Sequence, residues 1–354
     1  MTKPILAAIL SCKGYTLTDE EKKLFSKYNP LGISLFSRNI QTYEQVKNLA
    51  NEIKEVINRD NVLVAIDEEG GRVCRLENIK KGRYASAEAL GKVEALYSRY
   101  HAYLIASNLR NLGININYAP VIDRKTIPQN KVLESRCFSE DEENIIERGT
   151  NMATAYIEMG ICPCIKHIPG HFSSLEDPHL GLPESTLSRQ ELEKNIEYIR
   201  RFNQFPLAMT SHILLKNIDN KNPVTQSQQD ISEIIRGYLN FDGFLLSDAI
   251  DMHALSGSVW EKTQKSLDAG IDAVCCCSGR IEDIEEVCKT NRFLTEKSLI
   301  RFAKIEKVIH NKAKKIDLSE IQVRYEDALK ESFKEKYSYD ATEVLHQMLK
   351  KGER

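Results

Sequence analysis

At 354 residues the chain is long for one ordinary domain and suits one elaborated α/β barrel. Hydrophobic residues at 42% and charged residues at 28% describe a soluble globular protein with a sizeable core. Lys and Arg number 49 against 51 Asp and Glu, a formal charge of −2, which excludes the basic excess needed to grip nucleic acid or an anionic membrane surface. Partners are therefore expected to be small or locally recognised.

The chain opens with a short apolar run, Ile5 to Leu10, after a lone Lys3. That run is too short for a secretory signal and far short of the roughly 20 apolar residues of a membrane span, so a cytoplasmic location is expected. Apolar runs then alternate with charged helical stretches, the rhythm of βα units around a parallel sheet. Strands are predicted near 5–12, 33–37, 62–67, 115–121, 162–167, 207–212, 243–247 and 272–277. Helices are predicted near 18–28, 41–58, 86–111, 140–159, 188–203, 228–239, 258–269 and 281–291. Thr18-Asp-Glu-Glu21 and Ser188-Arg-Gln-Glu191 carry the spacing of capping boxes. The fold expected is a single (β/α)8 barrel over residues 1–295. Beyond it, 296–354 read as C-terminal helices packed on the barrel rather than an independent domain. Nine cysteines, an odd number and several inside apolar runs, read as reduced thiols; buried strand thiols account for Cys162, Cys164 and Cys275 to Cys277 better than a metal site does.

Polar residues sit directly after several apolar runs. The third predicted strand enters Asp67-Glu-Glu-Gly-Gly-Arg72. The fifth ends in Lys166-His167, the sixth in Ser211-His212 and the seventh in Ser247-Asp248. Ionisable groups in such places are unfavourable unless they face something polar, and a barrel gathers its C-terminal strand ends at one mouth. Each motif has a structural alternative. Asp67 with Arg72 and Arg75 could be an ion pair closing a loop, and Asp248 could cap the next helix. The stretch Pro169–Thr186, with no helical or strand period, could be an ordinary surface loop. Its length points to function, and the pair Asp177 and His179 has the spacing at which a carboxylate orients an imidazole. A carboxylate at the position of Asp248 could attack an anomeric carbon and later leave it.

An ordered set of motifs carries a family resemblance. It comprises Ala65-Ile-Asp67-Glu-Glu-Gly-Gly-Arg-Val-Cys-Arg75-Leu, Asn117-Tyr-Ala-Pro-Val-Ile-Asp123, Ser135-Arg136-Cys-Phe-Ser139, Lys166-His-Ile-Pro-Gly-His171, Asp177-Pro-His179, Met209-Thr-Ser-His212 and Gly243-Phe-Leu-Leu-Ser-Asp248. The set resembles family 3 glycoside hydrolases, and within them the single-domain bacterial β-N-acetylhexosaminidases that recycle peptidoglycan. The resemblance spans about residues 5–280. It implies a retaining enzyme that removes terminal N-acetylglucosamine, with Asp248 as nucleophile and His179 as acid/base partnered by Asp177. It implies that Asp67, Arg75, Arg136, Lys166 and His167 bind the sugar, and it places His212 at the mouth, grouped here with the binding residues. The substrate implied is a muropeptide carrying N-acetylglucosamine on 1,6-anhydro-N-acetylmuramic acid. No cofactor and no metal are expected, and the small single-barrel members suggest a monomer. Phe172 stands where glycine is usual, Pro178 separates the dyad where a small residue is commoner, and Ala249 replaces a frequent second aspartate. The first two put loop closure and rate in question.

Two rivals compete. A metal-dependent hydrolase on the same fold could use these histidines, but it wants His-x-His at the end of the first strand, where Ser11-Cys12-Lys13 stands. A sugar-binding barrel without catalysis would lack the nucleophile or the acid/base, whereas Asp248, Asp177 and His179 are all present.

Overall fold

The computed structural model describes residues 3–80, 82–125, 133–171 and 181–334. Eight parallel strands form the centre: β1 (Leu6–Ser11), β2 (Pro30–Leu35), β3 (Leu63–Ile66), β4 (Ile116–Asn117), β5 (Cys162–Pro163 with Ile165–Ile168), β6 (Leu207–Thr210), β7 (Phe244–Ala249) and β8 (Ala273–Cys275). Each pairs with its sequence neighbours, and β1 pairs with β8. The sheet begins and ends on the two halves of β5, separated only by Cys164, so it closes on itself. The expected (β/α)8 barrel is the fold.

Strand side chains alternate, as the two-residue period requires. Ala7, Ile9, Leu31, Leu63, Ala65, Cys164, Met209, Leu246 and Cys275 fill the interior. Leu6, Ala8, Leu10, Ile33, Leu35, Val64 and Ile66 turn outward against the helices. Burial on both faces is why the strands read as unbroken apolar runs. The surrounding helices are α1 (Asp19–Tyr28), α2 (Tyr43–Ile57), α3 (Leu96–Asn111), α4 (Glu142–Glu158), α5 (Arg189–Ile196), α6 (Asp230–Tyr238), α7 (Val259–Ala269) and α8 (Ile281–Lys289). Both predicted capping boxes close, at Thr18–Glu21 and Ser188–Glu191. The helix predicted over 86–111 is interrupted: Ala87–Gly91 ends where a β-carbon on Gly91 would lie 1.8 Å from the carbonyl oxygen of Phe138, and α3 begins five residues later. All nine cysteines are buried thiols.

Two further helices follow, α9 (Glu296–Ile309) and α10 (Leu318–Leu329). Phe302, Ile305 and Val308 of α9 join the barrel's interior cluster, with the Phe302 ring 6.2 Å from that of Phe244. At the same end Asp272 accepts hydrogen bonds from Leu245 N–H (2.8 Å), Arg236 (2.8 Å), Ser298 (2.7 Å) and Arg301 (3.0 Å). Helix α10 lies along α3, burying Tyr325 and Leu329. No helix among the described residues is long and apolar enough to cross a membrane.

Candidate active site

The C-terminal ends of β3, β5 and β7, with the segments that follow β3 and β4, bring the site together. After β3 the chain makes a small hairpin, Glu68–Gly70 with Val73–Cys74, turning through Gly70 and Gly71 in left-handed backbone (φ 96° and 59°) that side-chain-bearing residues rarely adopt. Asn117 at the end of β4 clamps this hairpin. Its Oδ1 accepts Glu68 N–H at 3.0 Å and its Nδ2 donates to Glu68 C=O at 2.9 Å. The hairpin returns Arg75 toward Asp67, 3.7 Å away.

A chain of alternating charge results. Arg75 faces Asp67, and Asp67 accepts from Lys166 Nζ at 2.6 Å. Lys166 also reaches Glu69 at 2.7 Å, and Glu69 takes both arms of the Arg136 guanidinium at 2.8 and 2.9 Å. Three cations and two anions leave the chain with a net single positive charge. Glu69 shows what the pairing does: burial alone would raise its carboxyl, but Arg136 and Lys166 hold it well below the usual range. Lys166 mirrors it, since burial opposes its charge and Asp67 and Glu69 restore it above the ordinary value.

The second half of the site is built on Asp123, buried beyond β4. One of its oxygens accepts from His167 N–H (3.1 Å) and Nδ1–H (2.7 Å), the other from His171 N–H at 2.9 Å. Burial would raise this carboxyl, yet the two imidazoles and their hydrogen bonds keep it well below its ordinary value. His167 is pushed down by burial, against the pull of Asp123, so it is neutral and carries its proton on Nδ1. Nε2 is left as an acceptor, 3.9 Å from Asp248 Oδ2. The His171 ring packs edge-on to it at 4.5 Å; its Nδ1 lies 3.4 Å from Asp123, and neither ring nitrogen makes a hydrogen bond among the described residues.

Asp248 closes the arrangement at the end of β7. Its Oδ1 accepts the N–H of Ala249 at 2.8 Å. Burial would raise its pKa, but facing His167 and His212, with the Ala249 N–H, it falls to about 2. His212 holds the same peptide from the other side: its Nε2 donates to Ala249 C=O at 3.0 Å, while Nδ1 accepts from the Thr225 hydroxyl at 2.8 Å. With both ring nitrogens occupied and no exposed surface, His212 sits behind Asp248, set apart from the ionic chain. Asp177 and His179, with Phe172 and Pro178, lie outside the described residues.

Asp67, Arg75, Arg136, Lys166, His167 and Asp248 thus share one mouth. The sequence reading assigned no role to Glu69, Asp123 or His171. A signal existed for Asp123, a carboxylate just past an apolar run, the same criterion that singled out Asp248. Asp123, His167 and His171 also form the one group of three metal-binding side chains among the described residues whose donor atoms converge, all within 4.8 Å. A cation there would have to displace the proton that His167 shares with Asp123, so the hydrogen-bonded clamp is the better account of these three groups.

The model of the glycosyl hydrolase family 3 N-terminal domain matches residues 6–309. A β-hexosaminidase of Alkalilimnicola ehrlichii is 31% identical over 285 residues, 76% of this chain and 80% of its own. The β-hexosaminidase A of Pseudoalteromonas piscicida is 29% identical over 282 residues, 73% of this chain but 47% of that protein, so this chain spans about half its length. Among solved structures, NagZ from Neisseria gonorrhoeae in complex with N-trifluoroacetyl-D-glucosamine superposes with a TM-score of 0.79 at 25% identity, over 93% of this chain and 97% of that one.

Proposed function

The chain belongs to glycosyl hydrolase family 3, and from that premise we propose that it is a retaining β-N-acetylhexosaminidase that releases terminal N-acetylglucosamine. The observation that carries the reading is Asp248: a half-buried carboxylate at the end of β7, its side chain 18% exposed, ionised down to about pH 2, with one oxygen toward His167 Nε2 and engaged by no lysine or arginine among the described residues. An oxygen in that state is a nucleophile, whereas a carboxylate saturated by arginine is not.

In the first step Asp248 attacks the anomeric carbon, the glycosidic C–O bond breaks, and the His179 imidazolium gives its proton to the departing oxygen. In the second, neutral His179 takes a proton from water, the water oxygen bonds to the anomeric carbon, and the bond to Asp248 breaks. Asp177 holds the His179 ring. Asp67, Lys166, Arg75 and Arg136 bind the sugar hydroxyls. His167, presenting an acceptor, takes the O–H of a hydroxyl rather than donating to it. No metal enters these steps, because the positive charge that develops at the sugar ring meets Asp248.

The substrate proposed is N-acetylglucosamine on 1,6-anhydro-N-acetylmuramic acid, with or without a stem peptide. The setting proposed is cytoplasmic peptidoglycan recycling by a monomer whose C-terminal helices belong to the barrel unit. The test is to trap the glycosyl-enzyme with a slow fluorinated N-acetylglucosaminide and map the labelled peptide, while NMR follows the anomer first released. Label on Asp248 with a β-anomer supports the reading. An α-anomer, or label elsewhere, overturns it.

A further inference from the structure

Helix α10 lies beyond residue 309, where the family match ends, yet one of its side chains is linked to the sugar site. Tyr325 is 1% exposed. Its hydroxyl oxygen accepts the N–H of Ala85 at 2.9 Å and lies 2.8 Å from Nδ1 of His101, on α3. The opposite ring nitrogen of His101, Nε2, lies 3.0 Å from the carbonyl oxygen of Glu69. Burial drives the pKa of His101 down to about 4, so the ring is neutral and carries one proton. A carbonyl oxygen can only accept, which places that proton on Nε2 and leaves Nδ1 to accept from tyrosine. The bonds therefore run in one sense: Ala85 N–H to the Tyr325 hydroxyl, that hydroxyl to His101, and His101 to the Glu69 carbonyl.

The anchored carbonyl belongs to the residue whose carboxylate holds Lys166 and Arg136, and it precedes the two-glycine turn. That turn rests on the same partners. A β-carbon on Gly70 would lie 2.3 Å from Ala85 O and 2.8 Å from His101 Cε1, and Gly71 N–H donates to Tyr84 C=O at 2.8 Å. Two successive glycines give the backbone wide conformational freedom, and a fixed carbonyl at its start removes it.

We propose that Tyr325 and His101 are positioning residues: through them α10 sets the backbone of Glu69, and with it the carboxylate that bridges Lys166 and Arg136 in the sugar site. The inference rests on the reading of that site as the N-acetylglucosamine subsite, and its test has one arm that does not depend on activity.

The variant is full-length Tyr325→Phe, which keeps the ring against His101 and Phe333 and removes only the hydroxyl. In a chromogenic N-acetylglucosaminide assay KM should rise roughly 3- to 10-fold, the scale of one buried hydrogen bond, with kcat and the pH profile little changed. Hydrogen exchange of the peptide covering 69–75 should quicken several-fold in the same protein. The control is Leu329→Ala, which thins the packing of the same helix without touching these bonds. It should lower the melting temperature and leave KM and that exchange alone. Wild-type exchange over 69–75 in Tyr325→Phe overturns the proposal whether or not the enzyme cleaves hexosaminides. So does a Leu329→Ala variant that matches Tyr325→Phe in both readouts, since helix docking alone would then account for them. Absence of turnover in the unmodified protein counts against the functional reading and leaves the exchange arm to decide this one.

Discussion

Two aspartates on adjacent strands stand at opposite ends of the barrel, Asp272 buried and Asp248 with its side chain 18% exposed at the mouth. Asp272, at the entrance to β8, accepts four hydrogen bonds, two of them from arginines. Every lone pair is used, as the stabilising end of a barrel requires. Asp248, at the exit of β7, accepts one backbone N–H, and its other oxygen lies 3.9 Å from His167 Nε2, beyond hydrogen-bond reach. The modest difference in exposure does not by itself distinguish a structural carboxylate from one free to react. The number of donors left unfilled does.

That contrast can be broken in the laboratory, most forcefully by exchanging the two losses. Asp248→Asn should remove at least about 10³-fold in kcat while leaving urea unfolding close to wild type, because it deletes the proposed nucleophile and little packing. Asp272→Ala should lower unfolding free energy by about 3–5 kcal/mol, since Arg236 and Arg301 lose their buried partner, yet leave kcat of the folded enzyme within about twofold. Loss of kcat in well-folded Asp272→Ala would erase the distinction between the two ends.

A smaller effect sharpens the view of the mouth. Asp123 resembles Asp272 in accepting on both oxygens, three hydrogen bonds in all, but its donors belong to residues of the mouth. Asparagine at 123 can offer only one acceptor oxygen, so on either side its amide nitrogen would face an N–H of His167 or His171. Asp123→Asn should therefore cost roughly 10- to 100-fold in kcat/KM by letting His167 turn or change tautomer, the scale seen when a ligand's supporting group is removed. Steady-state kinetics beside a melt checks this. A variant that loses stability with kcat/KM intact would make Asp123 a second Asp272.

A last test concerns Glu68, a buried carboxyl that accepts from the Cys74 thiol (2.8 Å) and Leu76 N–H (3.0 Å) and is also met by Arg75. Burial lifts its pKa from the usual 4.5 to about 7, against those bonds and Arg75. A carboxyl raised on folding adds stability while it is protonated: the contribution is whole below about 4.5 and is lost as pH rises through 7, about 3 kcal/mol in all. Glu68→Gln should remove that slope, so its melting temperature gains on wild type between pH 5 and 8. Parallel curves would show that Glu68 titrates as an ordinary surface acid.

Much of this was written locally. The apolar runs and capping signals delimit the barrel's elements within a few residues, because strands buried on both faces and amphipathic helices have periods that any window of the chain displays. The strand-end rule located Asp67, Lys166, His167 and Asp248 for the same reason: one chain segment holds both the apolar run and the ion that ends it. The helix over 86–111 breaks after Gly91, whose lack of a β-carbon admits the carbonyl of Phe138, some 47 residues away.

The roles within the mouth were a tertiary matter. Glu68 and Glu69 are adjacent and alike in sequence, yet one turns inward to a thiol and titrates near 7, while the other meets Lys166 and Arg136 and stays ionised. His101 and Tyr325, separated by 224 positions, carry no local sign that they share a proton's path to Glu69. Sequence by itself determined which side chains reach the rim, since that follows from the period of a strand. Only the closed barrel decided which of them are saturated and which are left open to react, because donors are counted in space and arrive from every part of the chain.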